Sequence, residues 1–345
     1  MLKDVDDMPT KTKKPRTGPA VIGVVAAAAM LALAAREMFP LVEENNVQAE
    51  DAAVKEAVSS ETQPTSTEKP ADLVQSETEE PVLEESTFSG WDVQQLDSFC
   101  AQQPSGFSVY AQDLESGEIY TYNEDIEYYP ASTLKAAYEL WLCEQAELGN
   151  LDVEGNVKNP YPFGALANTK MEPYDGISSI PAWDVMYAMI TVSDNNAMDM
   201  LVSTWPGSEE TGFCDFLAEL GFHAPYSCTM TLDDGINGIM NVQDAGLLMQ
   251  ALYEYFETGT STALQLQDCF LDAEHPALYV PDGVEAAKKY GSWDYAFHDF
   301  MIVYAERPYI LCCMTDQGDQ NVDFPPAVVE AMQELGRLIY EQESA

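Results

Sequence analysis

Alternating hydrophobic and polar residues predict a set of β-strands near both ends of the region 91–345. The alternation on either side of Glu115–Gly117 predicts a β-hairpin, because glycine and small polar residues favour a tight turn between two strands. After residue 284 the pattern returns in three strand-like runs: 284–293, 295–306 and 308–316. Strands from both ends of a chain can join one antiparallel sheet.

Apolar residues at three- and four-residue spacing predict helices in the rest of this region. The spacing dominates from Pro130 to about Phe256, and two more helices are predicted at 91–103 and 326–342. We therefore predict an α+β fold, in which an antiparallel sheet of N- and C-terminal segments is flanked by helices. The helices of the middle segment would form an all-helical subdomain.

The first ninety residues have a different pattern. A basic leader, 1–17, precedes an uncharged apolar run at 18–35, and this order predicts export with the N-terminus inside the cell. Segment 18–36 is then either a transmembrane anchor, the interpretation we favour, or a cleaved signal. Residues 37–90 are rich in Glu, Ser, Thr and Pro and predict a disordered acidic linker. The remaining domain, 91–345, would lie outside the membrane at the cell surface.

The charge of the chain limits its partners. Its 345 residues have a formal net charge of −44, which would repel nucleic acids and anionic lipid surfaces. We therefore expect contact with a membrane only through the N-terminal segment, and a monomeric protein.

Cysteine and histidine spacing gives no indication of a metal site or another cofactor. None of the seven cysteines is spaced like a pair of metal ligands, and the three histidines are scattered. We predict free, buried thiols. Cys312 and Cys313 are adjacent in a predicted strand and should face opposite sides of the sheet.

Candidate chemistry begins at Ser132 and Lys135, in the stretch YYPASTLKAAYELWLCEQ. A lysine in the first helical turn opposes the helix dipole, so the pair is either an ordinary N-cap with a surface lysine or a nucleophile with its base. Burial would lower the lysine pKa and allow it to accept the serine proton. The Ser-x-x-Lys pattern is weak alone, since Ser66 and Lys69 match it within the acidic linker.

Two further motifs follow in order: Ser193-Asp194-Asn195 between helical stretches, and Lys289-Tyr290-Gly291 on a predicted strand. With Ser-x-x-Lys they form the signature of penicillin-binding proteins and class A β-lactamases. From about residue 91 to 343 the chain resembles a class A β-lactamase-related serine hydrolase, with a β-lactamase/transpeptidase-like fold.

The resemblance implies a role for each motif residue. Ser132 would be the acylated nucleophile and Lys135 its proton acceptor, while Ser193 would pass a proton to the leaving nitrogen. Asn195 would bind the substrate amide, and Lys289 would supply positive charge near the substrate carboxylate. Gly291 would let the strand approach the substrate, and the backbone amides of Ser132 and Ser292 would form the oxyanion hole. The implied substrate is a β-lactam or a D-Ala-D-Ala-like cell-wall peptide.

Two departures from the family pattern concern substrate binding and turnover. Tyr290 replaces the usual Thr or Ser, whose hydroxyl contacts the substrate carboxylate. The Glu-x-x-Leu-Asn sequence that activates the deacylating water in class A β-lactamases is not found. Asp233 and Asp234 are the candidate replacements, although Gly235 beside them favours a turn.

Other functions compete with this hypothesis. The departures favour a catalytically weak module that binds cell-wall peptide or acts as an envelope scaffold. A Ser-His-Asp esterase using His298 and Asp299 is a weaker alternative, because adjacent strand residues point to opposite faces. The turn-rich segment 159–181 predicts an irregular surface loop that borders the substrate groove.

Overall fold

A sheet built from both ends of the described chain is the centre of the fold. The computed structural model describes residues 90–274, 277–319, 321–322 and 324–344. Its strands, in chain order, are β1 (Phe107–Asp113), β2 (Ile119–Tyr122), β3 (Asn156–Lys158), β4 (Ser179–Pro181), β5 (Thr229–Thr231), β6 (Gly235–Asn237), β7 (Glu285–Trp293), β8 (Ala296–Tyr304) and β9 (Tyr309–Thr315).

Five of these strands form one antiparallel sheet in the order β2-β1-β9-β8-β7. The N-terminal hairpin therefore pairs with the C-terminal strands through β1 and β9, where Val109 faces Cys313 in register. Two small hairpins, β3–β4 and β5–β6, lie outside this sheet. The predicted α+β fold with a discontinuous antiparallel sheet is confirmed.

Helices cover both faces of the sheet. They are α1 (Val93–Cys100), α2 (Leu134–Glu147), α3 (Ala182–Thr191), α4 (Asn195–Thr204), α5 (Phe213–Glu219), α6 (Val242–Glu257), α7 (Ser261–Leu271) and α8 (Pro326–Glu343). Helices α2 to α7 surround one hydrophobic cluster, while α1 and α8 pack on a second cluster at the opposite sheet face. Cys312 belongs to the first cluster and Cys313 to the second, as expected from their adjacent positions in β9. All seven cysteines are buried free thiols.

The predicted leader, the apolar segment and the acidic linker up to residue 89 lie outside the described residues. Within the part that the structure describes, no helix has the length and apolar character needed to cross a bilayer. The same residues contain no group of three or more His, Cys, Asp or Glu side chains that could hold a metal ion.

Candidate active site

Ser132 lies in a strained turn that leads directly into α2. Residues 131–133 form one turn of 3₁₀ helix, and Ala131 has a φ of 47°, in the left-handed region that alanine rarely adopts. The Thr133 hydroxyl donates to the Pro130 carbonyl at 2.6 Å and closes the turn. Helix α2 has no side-chain cap. Ser132 is therefore not the ordinary N-cap that one interpretation of the sequence would make it.

Lys135 is completely buried one helical turn after Ser132. Its Nζ donates to Asn195 Oδ1 at 2.7 Å, to the Ser193 carbonyl at 2.8 Å and to Ser193 Oγ at 3.4 Å. These acceptors hold the ammonium group between α2 and the start of α4, so Lys135 is not a surface lysine. Among the described hydrogen bonds none joins Lys135 to Ser132.

The three residues of the Ser-Asp-Asn motif join α3 to α4 and hold the start of α4 against Lys135. Ser193 has a φ of 57°, a left-handed conformation that turns the chain between α3 and α4. The Asp194 carboxylate caps α4 by accepting hydrogen bonds from the amides of Asn196 and Ala197, at 2.8 and 3.0 Å. Asn195 contacts Lys135. The motif thus fixes the position of α4 relative to the buried lysine.

Strand β7 brings a second buried lysine to the same hydroxyl. Lys289 Nζ donates to Ser193 Oγ at 3.0 Å, so both lysines contact this oxygen. A Cβ at Gly291 would lie 2.8 Å from the Thr133 amide nitrogen and 2.9 Å from that of Ser132. Glycine is required here because β7 packs against the turn that carries Ser132. The resemblance assigned Gly291 to the approach of substrate, whereas the contact in the structure is with the turn that carries Ser132.

Burial changes the proton affinity of both lysines. It lowers the pKa of Lys135 to about 7, although the nearby carboxylates of Asp194 and Asp199 oppose the shift. Burial and the neighbouring Lys135 hold the pKa of Lys289 well below its usual value. A lysine that is partly neutral near pH 7 can accept a proton from an attacking hydroxyl.

A pocket of about 190 Å³ opens over these groups. Its lining combines residues of all three motifs with three residues from outside them: Ser132, Ser193, Asn195 and Tyr290, together with Ser292, Trp293 and Asp319. Lys135 and Lys289 are buried and do not line the pocket. Gly291 does not line it either and packs against the turn that carries Ser132. The structure therefore collects residues that are far apart in the sequence around one concave site with a candidate nucleophile.

The Tyr290 ring takes part in aromatic contacts at the pocket wall. Its centroid lies 5.3 Å from that of Phe324 and 4.8 Å from Lys289 Nζ, a distance typical of a cation–π interaction. A bulky phenol ring thus occupies the position where the family has a small hydroxyl-bearing side chain.

The geometry does not support a Ser-His-Asp esterase. His298 is buried, accepts a hydrogen bond from the Thr315 amide at Nδ1 and donates from Nε2 to the Tyr129 carbonyl at 2.9 Å. Asp299 accepts from the amides of residues 277 and 278, at 2.6 and 2.8 Å. Both side chains are engaged by backbone groups and do not contact each other, so their roles are structural.

The candidate deacylation bases do not line the pocket. Asp233 and Asp234 lie in the turn between β5 and β6, as Gly235 beside them led us to expect. No residue of 159–181 lines the pocket either, so it gives no support to the prediction that this loop borders the groove. Part of that loop is buried, through Leu166 and Ile180.

Three residues near the site were not found from the sequence. Trp293 and Asp319 line the pocket, and Glu139 is completely buried one turn after Lys135 in α2. No motif identifies Asp319. A signal for Glu139 was available, since it lies within the nearly apolar stretch AAYELWLC.

Comparisons with known proteins agree with the fold of the chain. The model of the β-lactamase enzyme family matches residues 93–342. A search of curated proteins finds no match. The solved structures similar to this chain include a β-lactamase from Sphaerobacter thermophilus DSM 20745, with a TM-score of 0.60 and 19% identity over 74% of this chain and 98% of that one.

Two other similar structures have comparable scores. An ancestral class A β-lactamase has a TM-score of 0.59 and 18% identity, covering 72% of this chain and 98% of its own. A mutant of PBP-A, solved as an acyl-enzyme complex with penicillin G, has a TM-score of 0.59 and 20% identity, covering 72% and 94%. With the family match over residues 93–342, these likenesses identify the chain as a serine hydrolase that belongs to the β-lactamase enzyme family.

Proposed function

We propose that Ser132 attacks β-lactams, or cell-wall peptides ending in D-Ala-D-Ala, and forms an acyl-enzyme. The observation that carries this proposal is the Ser193 hydroxyl, which contacts both Lys135 and Lys289 at the pocket that Ser132 lines. The acyl-enzyme of PBP-A with penicillin G, a protein of similar fold, also supports it.

We infer that the proton of the nucleophile reaches the leaving group through Lys135 and Ser193. Ser132 Oγ attacks the carbonyl carbon while Lys135 takes its proton, and the carbon–nitrogen bond then breaks. Lys135 returns this proton to Ser193, whose own proton moves to the leaving nitrogen. The 3.4 Å contact between Lys135 Nζ and Ser193 Oγ provides the path. The backbone amides of Ser132 and Ser292 would bind the developing oxyanion.

Neither of the two aspartates that the sequence offered as a base for the water step lines the pocket, so we expect the acyl-enzyme to accumulate. Asp233 and Asp234 are in the β5–β6 turn, and neither lines the pocket. An enzyme of this kind would bind penicillin covalently and release it slowly.

We also propose that the enzyme acts outside the cytoplasm as a monomer. The basic leader and the apolar segment 18–36 support export, either through a retained anchor or through a cleaved signal. Protease accessibility on intact cells tests the location, and mass determination of the purified protein in solution tests the monomer.

Time-resolved labelling of the full-length chain tests the chemistry. A fluorescent penicillin is added to wild type, Ser132→Ala and Lys135→Ala, with Ser98→Ala as a control at an exposed helical serine. We expect a stable adduct on Ser132 of the wild type, identified by mass spectrometry. Both site variants should form it very slowly or not at all, whereas the control should still form it.

Two other results would change the conclusion. Rapid turnover would indicate a β-lactamase with an unrecognised base, and Asp233→Asn and Asp234→Asn would be tested next. No adduct in the wild type would contradict the proposal. It would favour a catalytically weak module that binds cell-wall peptide or acts as an envelope scaffold, in agreement with Tyr290 at the position of the family hydroxyl.

A further inference from the structure

Two residues on the pocket wall have no part in the proposed acylation. Trp293, at the end of β7, is 56% exposed, and its ring contacts no other aromatic ring among the described residues. Asp319 is exposed. Its Oδ1 accepts hydrogen bonds from the backbone amide and the side-chain amide of Asn321, at 2.8 and 2.9 Å, and its Oδ2 accepts none from the described residues. These bonds lower the pKa of Asp319, so its carboxylate is charged near neutral pH.

Backbone packing fixes Asp319 beside Trp293. A Cβ at Gly318 would lie 2.0 Å from the Trp293 carbonyl oxygen and 2.3 Å from that of Ala296. The Tyr295 amide also donates to the Gly318 carbonyl at 3.2 Å. The segment before Asp319 therefore rests directly on the turn between β7 and β8, and both Asp319 and Trp293 line the pocket.

The charges around this wall are wrong for an anionic substrate group. Asp319 is the only charged side chain among the described residues that line the pocket. Lys289, to which the resemblance assigns the substrate carboxylate, is completely buried. Tyr290 replaces the hydroxyl that would contact that carboxylate, and its ring packs on Phe324. An anion placed against the wall would be repelled by Asp319 with little compensation.

We propose that Trp293 and Asp319 form a subsite for an ammonium group carried by the acyl donor near its scissile carbonyl. This inference rests on the proposed acylation of Ser132 and adds the substrate class: amides or β-lactams with a cationic substituent. The carboxylate supplies opposite charge, and the exposed indole face supplies a cation–π contact. An exposed wall of this kind favours the cation by about threefold to tenfold.

A matched pair of penicillins measures this preference. Ampicillin and benzylpenicillin differ by one α-ammonium group, and the acylation rate of Ser132 in the full-length chain is followed by mass spectrometry. We expect faster acylation by ampicillin in the wild type, a ratio reduced about threefold or more in Asp319→Asn, and a smaller reduction in Trp293→Leu. Asp294→Asn is the control, because Asp294 lies in the β7–β8 turn against which Gly318 packs, and it does not line the pocket.

A binding assay separates this inference from the acylation itself. Ser132→Ala cannot be acylated, and its binding of benzyltrimethylammonium is compared with that of neutral benzyl alcohol by calorimetry, with and without Asp319→Asn. Binding of the cation that depends on Asp319 supports the subsite even if no penicillin acylates the enzyme. Equal acylation by both penicillins, unchanged in Asp319→Asn, overturns the subsite and leaves the acylation intact. Absence of both acylation and cation binding overturns both.

Discussion

Replacing Glu139 with methionine should make the protein more stable, although Glu139 lies one helical turn from Lys135 of the candidate site. The side chain is completely buried, and neither carboxyl oxygen has a hydrogen-bond partner among the described residues. Burial raises the pKa of this carboxyl well above 4.5, and the opposing effects of Lys289 and Lys135 are smaller. Burial therefore favours the neutral form of Glu139 in the folded protein, where neither oxygen has a hydrogen-bond partner among the described residues.

Two separate contributions set the size of the effect. A buried polar group without a partner costs about 1–3 kcal/mol, which methionine of similar volume removes. The second contribution depends on pH. Above pH 4.5 the carboxyl of Glu139 loses its proton in the unfolded chain but keeps it in the folded one. The folded state then binds more protons, so stability falls by about 1.4 kcal/mol per pH unit until the folded carboxyl also ionises.

Thermal unfolding of the full-length chain between about pH 5 and about pH 8 tests both contributions. Each kcal/mol should change the Tm by about 2–4 °C in a domain of this size. We expect Glu139→Met to raise the Tm at every pH, with the largest gain at high pH. Glu139→Gln is the matched control, since it keeps unsatisfied polar atoms but cannot titrate, and it should remove only the pH-dependent part. If Glu139→Met were no more stable than wild type and had the same pH slope, Glu139 would have to be ionised and paired with a lysine.

Two more expectations concern the site itself. Lys135 must be neutral to accept the Ser132 proton, and because its pKa is about 7, the acylation rate should rise with pH through about 7. Lys135→Ala should lower this rate by about 10²–10⁴-fold and abolish its rise with pH. An unchanged pH profile in the variant would exclude Lys135 as the base. Gly291→Ala should lower the stability by about 1–3 kcal/mol and slow acylation, because the added Cβ would lie within 3 Å of the backbone nitrogens of Thr133 and Ser132. A variant with the wild-type acylation rate and stability would contradict the close packing of β7 on the turn that carries Ser132.

The sheet and the motif positions could be predicted because local patterns determine them. Alternation and turn residues defined β1, β2 and the three C-terminal strands, and helical spacing defined most helices. Helix α7 and the hairpins β3–β4 and β5–β6 were not predicted. The strands of these hairpins have only three residues each, too few for a periodic pattern to develop.

The missed site residues depend on tertiary contacts. Asp319 reaches the pocket only because Gly318 packs on the β7–β8 turn, a contact that no local pattern contains. Glu139 would ordinarily be assigned to the exposed side of a helix. Every residue from 134 to 143 of α2 is buried, however, so this part of the helix has no exposed side.

Several unfavourable features of this fold lie in or beside the site that contains Ser132. Ala131 and Ser193 hold left-handed backbone conformations, and Lys135, Lys289 and Glu139 are ionisable side chains with no exposed surface. Each lowers stability by the cost of strain or desolvation. Strain and desolvation persist where the surrounding structure enforces them. Here desolvation lowers the pKa of Lys135, and the two lysines hold the Ser193 hydroxyl in place. Glu139 differs from the others because it contacts neither the pocket nor a hydrogen-bond partner in the described residues. Its removal should therefore separate stability from acylation, whereas changes at Ala131, Ser193 or the lysines should alter both.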